Sequence, residues 1–228
     1  MKKSDLYFIL FFVALFAPFF IFDIAYQWYN DLNKSHGMIM SFFKFAVLAT
    51  MGESIGLRIK NGVYNYNGFG LLSRAMVWGF LGLTIKLAFV VFAKGTPQFL
   101  LYLGFEEAPK VMGEALSFMK VLVAFSISLF MNVIYAPVMM TLHKITDTHI
   151  VEHGGKLVGL LKPIRFSKIL KELNWDVQWN FVFKKTIPFF WIPAHTITFL
   201  LPPDFQVLFA ALLGIVLGVI LSIASLKK

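Results

Sequence analysis

Six apolar runs, at about 7–29, 38–59, 71–93, 111–135, 186–201 and 205–226, dominate the chain, and most approach the ~20 residues a helix needs to cross a bilayer. The fifth is shorter and carries Pro188 and Pro193, so it could cross tilted or re-enter. Backbone polar groups find no water in hydrocarbon and must bond within the segment, which makes such runs helices. With 58% hydrophobic residues, 27 Phe and a mean hydropathy of +0.74, the balance is far from that of a soluble domain. The expected fold is all-α: a polytopic integral membrane bundle of about six segments, forming one transmembrane domain over residues 1–228.

The first run follows Met1-Lys2-Lys3 like a signal peptide, but it exceeds an ordinary signal core and shows no small-x-small cleavage site near Asp23, Tyr26 and Trp28. It is read as a retained span. An Arg/Ser-rich transit sequence is absent, and the plasma membrane of a bacterium or archaeon is the expected location. The absence of Cys excludes disulfides and thiolate chemistry.

Lys and Arg in short loops mark the cytoplasmic side. With six crossings and both termini cytoplasmic, fifteen of them fall inside, Lys227 and Lys228 among them, and only Lys34, Lys94 and Lys110 outside; Lys44, Lys86 and Lys120 are buried. The net charge of +9 is then mainly a topology signal, and no nucleic-acid partner is expected. Between 143 and 185 the chain is expected to leave the bilayer. There Leu157, Leu160, Leu161 and Ile164, then Ile169, Leu170 and Leu173, recur at helical spacing among lysines and Arg165, with Pro163 dividing two short helices. Such a basic amphipathic stretch, from Lys156 to Lys185 and carrying Trp175 and Trp179, suits an anionic leaflet; a plain connecting loop is the alternative.

Ionisable side chains within apolar spans are costly and default to a functional reading. They are Asp23, Lys44, Glu53, Lys86, Glu114 and Lys120, with His195. At ~1.5 Å per residue, Asp23, Lys44, Lys86, Lys120 and His195 fall roughly 9 to 14 Å below the outer surface, an excess of positive charge that would attract anions if all faced one cavity. Snorkelling of Lys44 and Lys86 to the headgroups is the alternative. Glu53 and Arg74 lie toward the other end and could pair. Ala210, Gly214, Gly218 and Ser222 repeat every four residues and form a small-residue seam, and Gly52-x-x-x-Gly56 and Gly79-x-x-Gly82 suggest further close approaches; whether the seam joins spans of one chain or two copies in a homo-oligomer stays open.

His143 and Asp147, and likewise His149 and His153, stand four apart and could each offer two metal ligands on a helix face. Only His36 and His195 remain to complete such a site, so neither metal nor cofactor is expected. No phosphate-cradling loop, G-x-S-x-G elbow or H-E-x-x-H is found, and an enzyme is the minority expectation.

The residues Trp191-Ile-Pro193-Ala-His195-Thr-Ile-Thr198-Phe199, then Pro202-Pro203-Asp-Phe205-Gln206-Val207-Leu208-Phe209 and Leu221-Ser222, resemble the signature of the Mpv-seventeen and peroxisomal twenty-two-kilodalton membrane protein family. That signature runs roughly W-P-x-x-Q-x-x-N-F-x-x-V-P-x-x-Y-R-V-L-F and closes on W-N-x-Y-L-S. Gly52-Glu53, Arg74-x-x-x-Trp78-Gly79 and Ala136-Pro137 are similar to further family motifs. His195 and Thr198 stand where the family has Gln and Asn, Met131-Asn132 where it has Asp-Gln, Thr84-Ile85 where it has Gly-Pro, and Leu217-Gly218 where it has Trp-Asn. The resemblance implies a small helical membrane protein with pore-like behaviour toward ions or small metabolites. The expected function is a channel or pore for small solutes, anions among them, lined or gated by Asp23, Lys44, Glu53, Lys86, Lys120 and His195, with Arg74 countering Glu53. A non-conducting scaffold for lipid or partner proteins and an interfacial metalloenzyme are the alternatives.

Overall fold

A computed structural model describes residues 2–226; Lys227 and Lys228, two of the charges counted for topology, lie outside the described residues. Every element among the described residues is helical. Four helices are long and apolar enough to cross a membrane: α1 (Lys3–Ile21), α3 (Gly37–Asn61), α4 (Leu71–Tyr102) and α11 (Pro203–Ser225). Two more, α6 (Phe118–Ile134) and α7 (Ala136–Glu152), bend by 44° at Tyr135 and together make a fifth candidate. Pro137, in the first turn of α7, has no N–H to give the preceding turn, which accounts for the bend.

The first apolar run does not reach residue 29. Phe22 has an extended backbone and its N–H bonds to the Pro18 carbonyl, closing α1 and starting the amphipathic α2 (Asp23–Ser35). Asp23 is therefore not a charge inside a span: it is exposed in the first turn of α2, where a carboxylate suits the positive helix end. The fourth run also starts late. A short α5 (Ala108–Val111) and a turn precede Ser117, whose Oγ accepts the Lys120 N–H at 3.2 Å and caps α6. Lys120 is thus a first-turn residue, half-buried, with its ammonium donating to the Glu114 carbonyl at 2.6 Å.

Nor does the chain leave its helix at residue 143, because α7 continues to Glu152. Beyond it come a 3₁₀ turn (Leu157–Leu161) and α8 (Phe166–Glu172), separated at Pro163. The stretch around Pro188 and Pro193 is longer than the fifth run: α9 (Trp175–Val177), a wide helix over Gln178–Trp191 and α10 (Ile192–Leu200) follow without interruption. The wide part closes i→i+5 bonds, as in Ile192 N–H to the Ile187 carbonyl, and Pro193 sits in the first turn of α10, where its missing N–H costs little.

The central helix is α3, packed against α4 on one side and α11 on the other, while α10 packs on α6. Phe45 and Leu48 of α3, Phe89 of α4, Ile127 of α6, Phe199 of α10 and Ala211 of α11 share one core. The small-residue stripes of α3 and α11 face each other. A Cβ on Gly52 would lie 3.0 Å from the Ile215 Cα, and one on Gly218 would lie 3.3 Å from the Gly52 carbonyl. Gly56 faces Ser222 in the same way. The seam therefore joins two helices of one chain. Gly82 similarly admits Phe45 from α3.

No residue of α1 is fully buried; Phe8, Leu15 and Phe16 pack against the core from outside, and polar contacts hold its start. Asp5 takes a forked pair from Arg58 at 2.7 and 2.9 Å, Lys2 donates to the Gly62 carbonyl at 3.3 Å, and Phe8 stacks on Tyr64 with centroids 4.4 Å apart. The start of α4 meets the end of α7 through two glycines with left-handed backbones, Gly70 (φ +76°) and Gly155 (φ +72°), and through Ser73 Oγ, which donates to the Gly155 carbonyl at 2.9 Å.

Candidate functional site

Between them α3, α4, α6–α7, the wide helix over Gln178–Trp191, α10 and α11 leave a cavity of about 530 Å³. That volume falls in the range of small-molecule sites, which are mostly apolar with a few convergent polar groups. Its wall fits the description. Phe45, Phe89, Met131, Met139 and Met140 supply apolar surface, and Gly214, with nothing within 4 Å of its notional Cβ, leaves the space open.

The polar groups fall into two sets. The first is built around Glu53, whose helix face places it opposite the first turns of α4. Glu53 Oε2 accepts Arg74 Nη1 at 2.6 Å, Oε1 accepts Trp78 Nε1 at 2.8 Å, and His143 Nε2 lies 3.1 Å from Oε1. Arg74, buried at 8% exposure, also pairs with Asp147, donates Nε to the Phe69 carbonyl at 2.8 Å and lies over the Phe69 ring at 4.5 Å. The His143 ring packs on Trp78 with centroids 4.3 Å apart. Lys144 and Lys60, both exposed, line the cavity beside this network and mark its mouth; Lys144 Nζ is 3.5 Å from Asp147.

The second set lies deeper. Asn132, fully buried, donates to the Ser128 carbonyl at 2.8 Å and to His195 Nδ1 at 3.0 Å, and Ser128 Oγ donates to the Ile192 carbonyl at 2.7 Å. His195 stacks on Trp191, centroids 5.0 Å apart, with the edge of Phe89 against it at 5.7 Å. The indole Nε1 of Trp191 is buried with no hydrogen-bond partner among the described residues, although Trp191 lines the cavity. An unpaired buried donor is costly, roughly 1–3 kcal/mol, and a ligand oxygen would relieve it.

Of the residues expected to form the pathway, Glu53, Arg74 and His195 line this cavity, and Asp23, Lys44, Lys86 and Lys120 do not. Lys44 is buried in the first half of α3, its ammonium 2.5 Å from Asn33 Oδ1 and 5.0 Å from the Tyr29 ring centre, so it is partnered by α2. Lys86 is half-buried near Gly37, within electrostatic reach of Lys44 but outside the cavity. The expected ring of three lysines, one aspartate and one histidine is therefore not assembled. The runs 7–29 and 111–135 are not straight crossings: Asp23 belongs to α2 and Lys120 to a capped helix start.

The metal candidates also divide. His143 and Asp147 belong to the Glu53–Arg74 network, while His149 and His153 come together with Glu152. Asn132, Trp191 and Asp147 were not expected as pathway residues. Asp147 stands four residues after His143 on α7, which was the available sign that it shares a face with a residue near Glu53. No family model, curated protein or solved structure matches the chain.

Proposed function

We propose that the chain is a multi-pass membrane protein whose helices enclose a solute pathway: a channel or pore-like protein that passes small anionic solutes, in a state open toward the Lys60 and Lys144 side. The observation that carries this reading is the cavity itself, which every apolar helix except α1 helps to line and which has exposed Lys60 and Lys144 and the buried Asn132–His195 pair in its wall. Lysines at an entrance raise the local concentration of anions, and the free indole N–H of Trp191 offers a donor further in.

The topology goes with it. Asp5 meets Arg58, Lys2 meets Gly62 and Ser73 meets Gly155, so the start of α1, the end of α3, the start of α4 and the end of α7 share one end of the bundle. That end carries the Lys/Arg-rich connections, which makes it the cytoplasmic end under the positive-inside rule, with the stretch 175–200 as an additional crossing and both termini inside. The family resemblance adds support: Gly52-Glu53, Arg74, Trp78 and Ala136, which carry three of its motifs, all line the cavity. His195 and Asn132, two departures from the family pattern, are hydrogen-bonded to each other.

Reversal potentials in planar bilayers under a KCl gradient test the reading. Anion-biased current is expected, and its bias falls when both mouth charges are inverted in Lys60→Glu/Lys144→Glu. A conducting protein whose selectivity ignores those charges sinks the anion pathway. A second reading, a non-conducting scaffold, is favoured by one observation: Glu53, Arg74 and Asp147 are mutually paired. Folded protein that is silent both under voltage and in anion-efflux assays from liposomes would select it.

A further inference from the structure

At the end of α7, on the side away from the Glu53 network, the sequence reads His149-Ile-Val-Glu152-His153. On a helix, residues three and four apart share a face, so this H-x-x-E-H spacing gathers two imidazoles and a carboxylate. One donor atom from each of the three lies within 4.8 Å of the others.

The hydrogen bonds determine which nitrogens are free. His149 is buried at 1% exposure, and its Nε2 stands 2.9 Å from the Gly159 carbonyl, an acceptor only, so that nitrogen carries the proton. Its Nδ1 is then a bare lone pair, and it is buried with no partner among the described residues. His153 repeats the arrangement with the nitrogens exchanged: Nδ1 donates to the His149 carbonyl at 2.8 Å, which leaves Nε2 bare. Metal-ligating histidines show this pattern, the outer N–H fixed on a carbonyl and the inner nitrogen turned to the ion. A structural role for the two rings, which lie 4.3 Å apart, explains their packing but not an orphaned acceptor on the more buried one.

We propose that His149, Glu152 and His153 bind a divalent cation of the zinc class through two imidazole nitrogens and one carboxylate oxygen, with water completing the coordination. Exposed Glu152 and half-buried His153 provide the way in. Bonds of about 2.0–2.1 Å require the three donor atoms to draw closer, which rotation of the exposed Glu152 side chain toward the two rings favours. Glu152 also faces Arg165 Nη2 at 3.1 Å and Lys168 Nζ at 3.6 Å. The two cations occupy opposite carboxylate oxygens, so a metal displaces Lys168 or shares its oxygen, and the Arg165 bond then orients the ligand from outside. Such an ion would clamp the end of α7 to the 3₁₀ turn through Gly159 and to α8 through Arg165.

The test uses the full chain in detergent, stripped with a chelator and titrated with Zn²⁺ against a competing indicator, and separately with Co²⁺ followed by visible absorption. One equivalent of each metal is expected, with the intense absorption of low-coordinate Co²⁺. His153→Gln and Glu152→Gln, both at accessible positions, should weaken binding at least tenfold, while His36→Gln, an exposed histidine elsewhere, should not change it. Less than half an equivalent in folded protein, or equal affinity in H153Q and the unaltered chain, overturns the proposal.

Discussion

Arg74→Met is expected to destabilise the folded protein by about 3–5 kcal/mol, the cost of removing one partner from a buried ion pair. The guanidinium bridges Glu53 and Asp147, and its loss leaves two partly buried carboxylates without the cation they share. Thermal melting in detergent should show a midpoint lower by roughly 10 °C. Arg74→Lys should recover only part of this, since one ammonium cannot reproduce a fork that reaches two carboxylates and the Phe69 carbonyl. The triple variant Arg74→Met/Glu53→Gln/Asp147→Asn, which removes all three charges together, should regain most of the lost stability. A triple variant no more stable than R74M would show that shape, not charge pairing, dominates here.

The second large effect is expected at Gly155. Its backbone is left-handed, and a Cβ there would lie 2.6 Å from the Gly70 nitrogen and 2.7 Å from both the Gly68 carbonyl and the Gly70 Cα. Those are backbone atoms, which cannot rotate aside. Gly155→Ala should therefore cost the ~1–2 kcal/mol of a left-handed alanine plus a steric term of similar size, and separate the start of α4 from the end of α7. Gly154→Ala is the comparison: its φ is +62°, but nothing lies within 4 Å of its Cβ, so only the conformational term applies. Equal melting temperatures for G154A and G155A would contradict the contact between the two loops.

How much of this the sequence made legible depends on how local the physics is. The bounds of α3 and α11 follow from apolar length alone, and the Gly52-x-x-x-Gly56 stripe and the Gly218 and Ser222 positions identify the faces that meet. Glu53 and Arg74 could be paired on paper because a carboxylate in a span needs a cation at its own depth. Asp147 could not, because α7 extends past the end of the apolar run that precedes it. The break at Phe22 is hidden because Ile21, Phe22 and Ile24 keep the run apolar around Asp23, although Pro18 lies one turn earlier. The H-x-x-E-H spacing was visible as a string, but the direction of each imidazole depends on carbonyls four and ten residues away.

The length of α4 has a mechanical consequence. Its 32 residues make a rod of about 48 Å, against ~30 Å of hydrocarbon in an ordinary bilayer. Past Lys94 the rod still presents Phe99, Leu101 and Tyr102 to its surroundings. In a membrane, the excess is accommodated by leaning the helix, by thickening the lipid around it or by standing the far end in water. Arg74 and Trp78 ride on the opposite end of the same rod, so a change in its lean moves the wall of the cavity. Acyl-chain length would thus become an input to the geometry at Glu53, and lipid around the helix would act on the cavity without binding in it.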